Sequence, residues 1–199
     1  MTAKRLFDVS FSLAGLIVFS PLMLFVALLI KLDDGGACFY RQVRVGRLGR
    51  EFKILKFRTM CDGADRAGPS ITAAGDARIT RVGRWLRKAK LDELPQLWNV
   101  LRGEMSFVGP RPEVPKFVAL YTSEQRRVLN LIPGITDEAS LEFRDEEEML
   151  AAVPEPARYY VEYCIPRKVA VNLAYAKNAS VLKDVFVIIR TMILVWLRR

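Results

Sequence analysis

"VSFSLAGLIVFSPLMLFVALLI" (residues 9–30) carries no charged residue. It is long enough to cross a hydrocarbon core of about 30 Å, which takes about 20 apolar residues. Lys4 and Arg5 precede it, and it runs into "IKLDDGG" with no small-residue cleavage site, so it is long and wrongly ended for a signal peptide. Ser20-Pro21 falls in its middle. Proline removes one backbone hydrogen bond and bends a helix, and a serine hydroxyl can satisfy the carbonyl set free. The segment is therefore either a kinked helix that spans or a broken one that enters and returns to the same face. Lys4 and Arg5 on one side, with Lys31 and many arginines on the other, draw both ends toward the cytoplasm. Residues 1–32 form the predicted membrane element.

A second apolar stretch closes the chain. "SVLKDVFVIIRTMILVWLRR" (180–199) is interrupted by Lys183, Asp184 and Arg190. It fits an interfacial amphipathic helix with an aromatic and basic end, or a helix packed on the core. Between the two lies one polar body, 33–179, without repeat or low-complexity linker. "ACFYRQVRVGRLGREFKILKFRTM" (37–60) predicts a short β-hairpin turning between Gly46 and Gly49. Its basic run, close to the membrane element, suits anionic lipid headgroups or a phosphate ligand. Residues 62–77 read as a loop. Arg78, Arg81, Arg84 and Arg87 then make a basic strip on a predicted helix. "FVALYTSEQRRVLNLI" (117–132) has helical spacing, Glu146–Glu148 an acidic solvated face, and 154–177 helix broken by Pro166. The fold class is α/β in the helix-rich α+β sense.

The chain of 199 residues has a formal net charge of +9, no histidine and three scattered cysteines, Cys38, Cys61 and Cys164. Absence of histidine excludes Ser-His triads and His-ligated zinc. The cysteine spacing argues against a disulfide framework and for reduced thiols facing the cytosol. The charge favours anionic partners.

Against that basic background, "KLDELPQLWNVLRGEMSFVGPRP" (90–112) sets Asp92 and Glu93 ahead of Pro95. Proline is tolerated in a first turn, so Asp92 falls near a helix N-cap, with the helix ending at Gly103. One reading is capping alone, with Glu93 complementing the dipole. In the other, the helix terminus and nearby arginines lower the pKa of Asp92, which serves as a nucleophile toward phosphorus. Glu93, about 100° around a helix from it, then holds Mg²⁺. Arg111, stiffened between Pro110 and Pro112, forks onto a phosphate.

The ordered set "KRLFD", the Ser-Pro in the apolar run, "FYRQVRVG", "KFRTM", "RITRVGRWLRKAKLDELPQLWNVLRGEMSFVGPRP" and "PGIT" resembles the monotopic polyprenyl-phosphate phosphoglycosyl transferases, within the bacterial sugar transferases. The resemblance implies a re-entrant helix-break-helix dipping from the cytoplasmic face of the bacterial inner membrane. It implies Asp92 as nucleophile on a UDP-sugar, release of UMP, and transfer of the phosphosugar to polyprenyl phosphate (undecaprenyl phosphate) by ping-pong kinetics. Glu93 matches the Mg²⁺ ligand, Arg111 the Pro-Arg-Pro arginine, and Arg144 an arginine near the phosphates; Arg58 and Arg87 are assigned to phosphate or headgroup contact. The resemblance marks the minimal catalytic form. One departure is "PGITDEASLEFRDEEE", where many members place glycine after "PGIT". A non-catalytic membrane-anchored module binding anionic lipid or nucleic acid would share charge and anchor but not the Asp-Glu pair, and nucleic acid is not an expected partner. A glycosyltransferase moving sugar alone would need its acids elsewhere, at Asp33-Asp34 or Asp62/Asp65. The sequence leaves the sugar and the oligomeric state open.

Overall fold

The computed structural model describes residues 2–64 and 75–197, with side chains described as far as Val195. Asp65, most of the predicted 62–77 loop and the Trp196 side chain thus lie outside the described set. In chain order the elements are α1 Ala3–Asp34, β1 Phe39–Val45, β2 Glu51–Phe57, α2 Arg81–Lys88, a 3₁₀ turn Leu91–Gln96 and α3 Leu97–Arg102. There follow β3 Ser106–Val108, α4 Pro115–Val118, β4 Gly134–Thr136, α5 Glu138–Glu142, α6 Glu146–Ala151, α7 Pro156–Tyr159, α8 Ile165–Ala176 and α9 Val181–Leu197. The helix-rich α+β class holds.

Among the described residues, α1 alone is long and apolar enough to cross a membrane. α1 continues as helix through Pro21, a residue that bends a helix without ending it. Proline at 21 deprives the Ile17 carbonyl of its partner, and Ser20 Oγ donates to that carbonyl at 2.8 Å. With the freed acceptor satisfied locally, the ladder resumes beyond the proline.

Both ends of α1 are fastened to the polar body. At the first turn, Lys4 Nζ donates to Val108 O at 3.0 Å and pairs with Asp184 of α9. Arg5 donates to Val100 O (2.6 Å) and Leu101 O (2.7 Å) at the end of α3, where Val100 O also accepts from Gly103 N at 3.0 Å. Asp8 Oδ1 accepts from Ser106 Oγ (3.0 Å) and Phe107 N (3.2 Å) on β3. The charges of "KRLFD" are thus internal fasteners: Lys4 and Arg5, read from the sequence as topology signals, are engaged with the body, as is Asp8. At the far end Val26 and Ile30 pack with Phe57 and Leu86. Between them, residues 17–21 are exposed on every side.

The hairpin forms as expected: β1 and β2 pair antiparallel from Phe39↔Phe57 to Val45↔Glu51, with Gly49 at φ 77° in the turn. Along β2, Phe52 and Ile54 face the Val100–Met105 cluster. Lys56, two residues on, shares that face because side chains alternate. β3 and β4 pair in parallel, Ser106↔Gly134 and Val108↔Thr136, bringing "SFVGPRP" beside "PGIT". A Cβ on Gly109 would lie 2.2 Å from Ile132 O, so the crossing requires glycine.

Two expected helices differ. Residues 117–132 are not continuous: Thr122 Oγ1 accepts from Gln125 N (3.2 Å) and Gln125 Oε1 from Thr122 N (2.9 Å). This reciprocal cap starts a new turn and ends the first. Pro166 does not end the last helix of the body: a π turn over Tyr160–Cys164 leads directly into α8, and the ladder widens just where the proline lacks its N–H. On α9, Asp184 and Val187 are buried, whereas Leu182, Phe186, Ile189 and Ile193 form an exposed apolar stripe at helical spacing. One face of the C-terminal helix is thus packed on the body, as the core-helix reading expected, and the other is apolar and exposed.

Candidate active site

The site is built where α2, the 3₁₀ turn and β2 converge. Gly83 lets α2 run against the strand exit: a Cβ there would lie 2.1 Å from Thr59 O. Pro95 interrupts the α-helical ladder, so Leu91–Gln96 winds as 3₁₀ helix and α3 begins only at Leu97. Gly103, at φ 83°, ends α3 as anticipated. Asn99 stitches α3 to β2, accepting from Leu55 N at 3.0 Å and donating to Lys53 O at 2.9 Å. Asp92 is not the N-cap; Lys90 holds that place in the left-handed region, and Asp92 lies inside the first turn.

Asp92 and Glu93 are 7% and 8% exposed, and the 3₁₀ twist sends them to different faces. Glu93 Oε1 accepts from Lys56 Nζ and from Arg111 Nη2, each at 2.7 Å. Burial alone would raise its pKa, but the charges of Arg111 and Lys56 outweigh it and hold the carboxyl well below the ordinary range. Asp92 goes the other way. Its Oδ1 is buried without a hydrogen-bond partner. Burial raises its pKa, Lys56 opposing and Glu93 reinforcing the rise. The expected lowering at a helix terminus is thereby corrected: the group is not the cap, so no turn amide stabilises its charge.

Arg111 reaches Glu93 from the Pro110–Pro112 turn that leaves β3. The structure thus joins three of the anticipated residues, Asp92, Glu93 and Arg111. Arg87 stands nearby: its charge works to lower the pKa of Asp92, its Nε donates to Thr59 Oγ1 at 3.0 Å, and it pairs with Glu147 at 3.6 Å. Arg58 is placed elsewhere. Its fork grips Asp34 at the end of α1, and its remaining donors go to Ala37 O (2.5 Å) and Met60 O (3.1 Å). In that arrangement it clamps α1 to the hairpin. Arg58→Lys, which keeps charge but loses the fork, is expected to cost about 2 kcal/mol, lowering the melting temperature by about 4–8 °C in a thermal scan. Arg144 sits on the α5–α6 turn, more than half exposed, paired with Asp145 at 3.1 Å.

Sequence reasoning passed over Lys56, Lys90 and Asp137. Lys56 was one cation among the basic run of the hairpin; its phase with Ile54 was the available signal. Asp137 Oδ2 accepts from Arg111 N at 2.8 Å, which no local pattern announces.

Among the described residues no group of three or more acidic, Cys or His side chains forms a metal cage. A single carboxylate beside substrate phosphates is nevertheless enough for Mg²⁺, which is commonly held by one or two carboxylates and the phosphates, and Glu93, next to a buried carboxylate oxygen with no partner, fits that part.

The profile of the family described as bacterial sugar transferase matches residues 1–198. Over 95% of its length the chain is 37% identical to the UDP-N-acetylgalactosamine-undecaprenyl-phosphate N-acetylgalactosaminephosphotransferase of Aeromonas hydrophila, spanning 42% of that protein. It is 38% identical, over 99% of its length, to the exopolysaccharide production protein ExoY of Sinorhizobium fredii, spanning 87% of it. To the undecaprenyl-phosphate glucose phosphotransferase of Komagataeibacter xylinus it is 38% identical over 96% of its length, spanning 35% of that relative.

Proposed function

Because the chain belongs to the bacterial sugar transferase family, we propose that it moves a sugar phosphate from a UDP-sugar to undecaprenyl or another polyprenyl phosphate and releases UMP. The observation that carries this reading is the division of labour between adjacent carboxylates. Glu93 is neutralised by Lys56 and Arg111, whereas Asp92 keeps a buried oxygen with no partner. A poorly solvated carboxylate beside fixed cations suits attack on a phosphorus that brings negative charge.

In the first half-reaction Asp92 Oδ1 bonds to the phosphorus that carries the sugar, and the bond from that phosphorus to the bridging oxygen of UMP breaks. In the second, a phosphate oxygen of the polyprenyl acceptor bonds to the same phosphorus and the aspartyl oxygen departs. The product is a polyprenyl diphosphate sugar, with Asp92 restored and ping-pong kinetics. Arg111 and Lys56 neutralise phosphoryl oxygens gathered beside Glu93, and Arg87 serves the neighbouring phosphate. Glu93 would hold Mg²⁺ beside the nucleophile, and the ion would supply further neutralisation of phosphate charge.

The polar body lies on the cytoplasmic face of the bacterial inner membrane in this reading, with α1 dipping into one leaflet. A helix of 32 residues spans about 48 Å. One that is pinned to the same body at Lys4–Asp8 and at Val26–Asp34 cannot carry that body's two attachment points to opposite faces. Its middle, Ile17 to Pro21, is the part exposed all round. The apolar stripe of α9 adds an interfacial contact, with anionic lipid as the partner of the surrounding cations.

The test of activity uses protein in micelles with Mg²⁺, undecaprenyl phosphate and a panel of UDP-sugars, quantifying UMP and UDP separately. Mg²⁺-dependent UMP release is expected; UDP as the nucleotide product would refute phosphosugar transfer. For topology, Cys38 and Cys61 are replaced by serine and single cysteines placed at Ala3 or Leu32. Both are expected to react with an impermeant thiol reagent from the cytoplasmic side of inverted vesicles. Reaction of one only from the opposite side would establish a span.

A further inference from the structure

Thr136, Asp137 and Glu138 are three consecutive residues, each gripped by a different partner. Thr191 Oγ1 donates to Val187 O (2.8 Å), so the Thr136 hydroxyl, 2.8 Å away, is the donor between the two threonines. Glu138 pairs with Arg190 at 3.0 Å, also on α9. Between them Asp137 is 2% exposed. One of its oxygens, Oδ1, caps α5 by accepting from Ser140 N. A helix cap needs no more than that. The second oxygen, Oδ2, is engaged elsewhere. It accepts from the backbone N–H of Arg111 at 2.8 Å and from Asn172 Nδ2 at 3.3 Å. Asn172, on α8, is 5% exposed.

Arg111 is a residue whose direction depends on such an anchor. The ring of Pro110 is fixed in φ, and Pro112 drives Arg111 itself away from the helical region. Asp137 therefore holds the main chain of Arg111 while Glu93 holds its tip. The guanidinium, 38% exposed as a side chain, keeps a side open to a ligand. Behind the turn is a cavity of about 30 Å³ lined by Arg111, Asp137, Ser140, Lys168 and Asn172, among others.

We infer that Asp137, steadied by Asn172, is a positioning residue that aims Arg111 at the Asp92–Glu93 pair. The inference rests on the phosphosugar-transfer reading for its catalytic consequence. It also explains the departure in "PGITDEAS": the extra acid faces inward to the arginine's backbone and is not a sugar contact.

The test is a double-mutant comparison in the full chain, assayed for UMP release with UDP-N-acetylgalactosamine and UDP-glucose as donors. Asp137→Asn keeps a competent helix cap, so the fold is retained, but it lacks a second accepting oxygen. It is expected to lower kcat by about tenfold to a hundredfold, the scale of a misplacement near 1 Å. In an Arg111→Met background the same change is expected to cost less than about twofold. Asn172→Ala should lower kcat in the same direction, more weakly. Equal losses in both backgrounds, or unchanged turnover in Asp137→Asn alone, would overturn the inference. If the unsubstituted chain releases no UMP from either donor, the functional reading fails separately, and hydrogen exchange decides the anchor. Faster exchange of peptides covering residues 109–113 in Asp137→Asn supports it; unchanged exchange rejects it.

Discussion

Asp92→Asn is expected to reduce UMP release at least a thousandfold, as removal of a nucleophile typically does, while leaving the protein as stable as before or slightly more so. The two effects have one cause. A buried carboxylate with a partnerless oxygen is reactive because it is poorly solvated, and for the same reason its charge opposes folding. Burial raises the Asp92 pKa above its ordinary value of 3.8, so the folded chain holds this proton more tightly than the unfolded chain. Stability from this group therefore falls as pH rises from 3.8 through the raised value, and the penalty is complete above it. Asparagine carries no charge at any pH and escapes that penalty, although its own amide needs partners. The net gain is expected to be no more than about 1 kcal/mol, largest at neutral pH and closing as the solution is acidified toward 3.8. Thermal scans of both proteins in micelles at several pH values measure it. A variant that is inactive and also clearly less stable would mean that the carboxylate is a structural partner, as in the capping reading.

That capping reading shows where the sequence was legible and where it was not. The helix stop at Gly103, the hairpin turn at Gly49 and the apolar character of α1 depend on a residue's own conformational freedom or on its neighbours in the chain. Each appears in the sequence for that reason. The Ser20–Pro21 pair was read correctly as a bond lost and a carbonyl recovered, but whether the helix then breaks is a sum over its remaining bonds. The site was legible as a set of residues and not as a network. Arg58 and Arg111 each belong to a motif of the sequence, and neither motif names the carboxylate its arginine will meet. Only the packing of α1 against the hairpin turns Arg58 to Asp34, and only the parallel pairing of β3 with β4 sets Asp137 under Arg111. Lys56 lies 37 positions from Glu93 and is buried against it. Contacts of that range are decided by the fold; the phase of Lys56 with Ile54 marks its face of the strand but not its partner.

Glu93→Gln is expected to fail in the opposite pattern, losing activity and stability together. Here the carboxylate is the anion on which two buried or half-buried cations depend. Removing its charge leaves Lys56, with a side chain 16% exposed, facing no counter-ion on that side, and leaves Arg111 held only by its backbone. Breaking a buried pair from one side typically costs about 3–5 kcal/mol. The Arg111 share is smaller because its guanidinium is 38% exposed and screened by water. A loss of about 3 kcal/mol is therefore expected, with a drop in UMP release of at least a hundredfold. The pH dependence has the reverse sign to that of Asp92. Arg111 and Lys56 hold the Glu93 pKa well below its ordinary 4.5, so its contribution is complete above 4.5 and is lost as pH falls through the lowered value. The stability gap between wild type and Glu93→Gln should thus be level near neutrality and narrow only in acid below 4.5. Adding Lys56→Met to Glu93→Gln removes the stranded ammonium and should recover about 1–2 kcal/mol without recovering activity. Recovery of stability identifies Glu93 as the counter-ion, and the persisting inactivity assigns its charge to the reaction as well. If the double variant were no more stable than Glu93→Gln alone, Lys56 would not depend on that charge, and the division of labour between the two carboxylates would lose its physical basis.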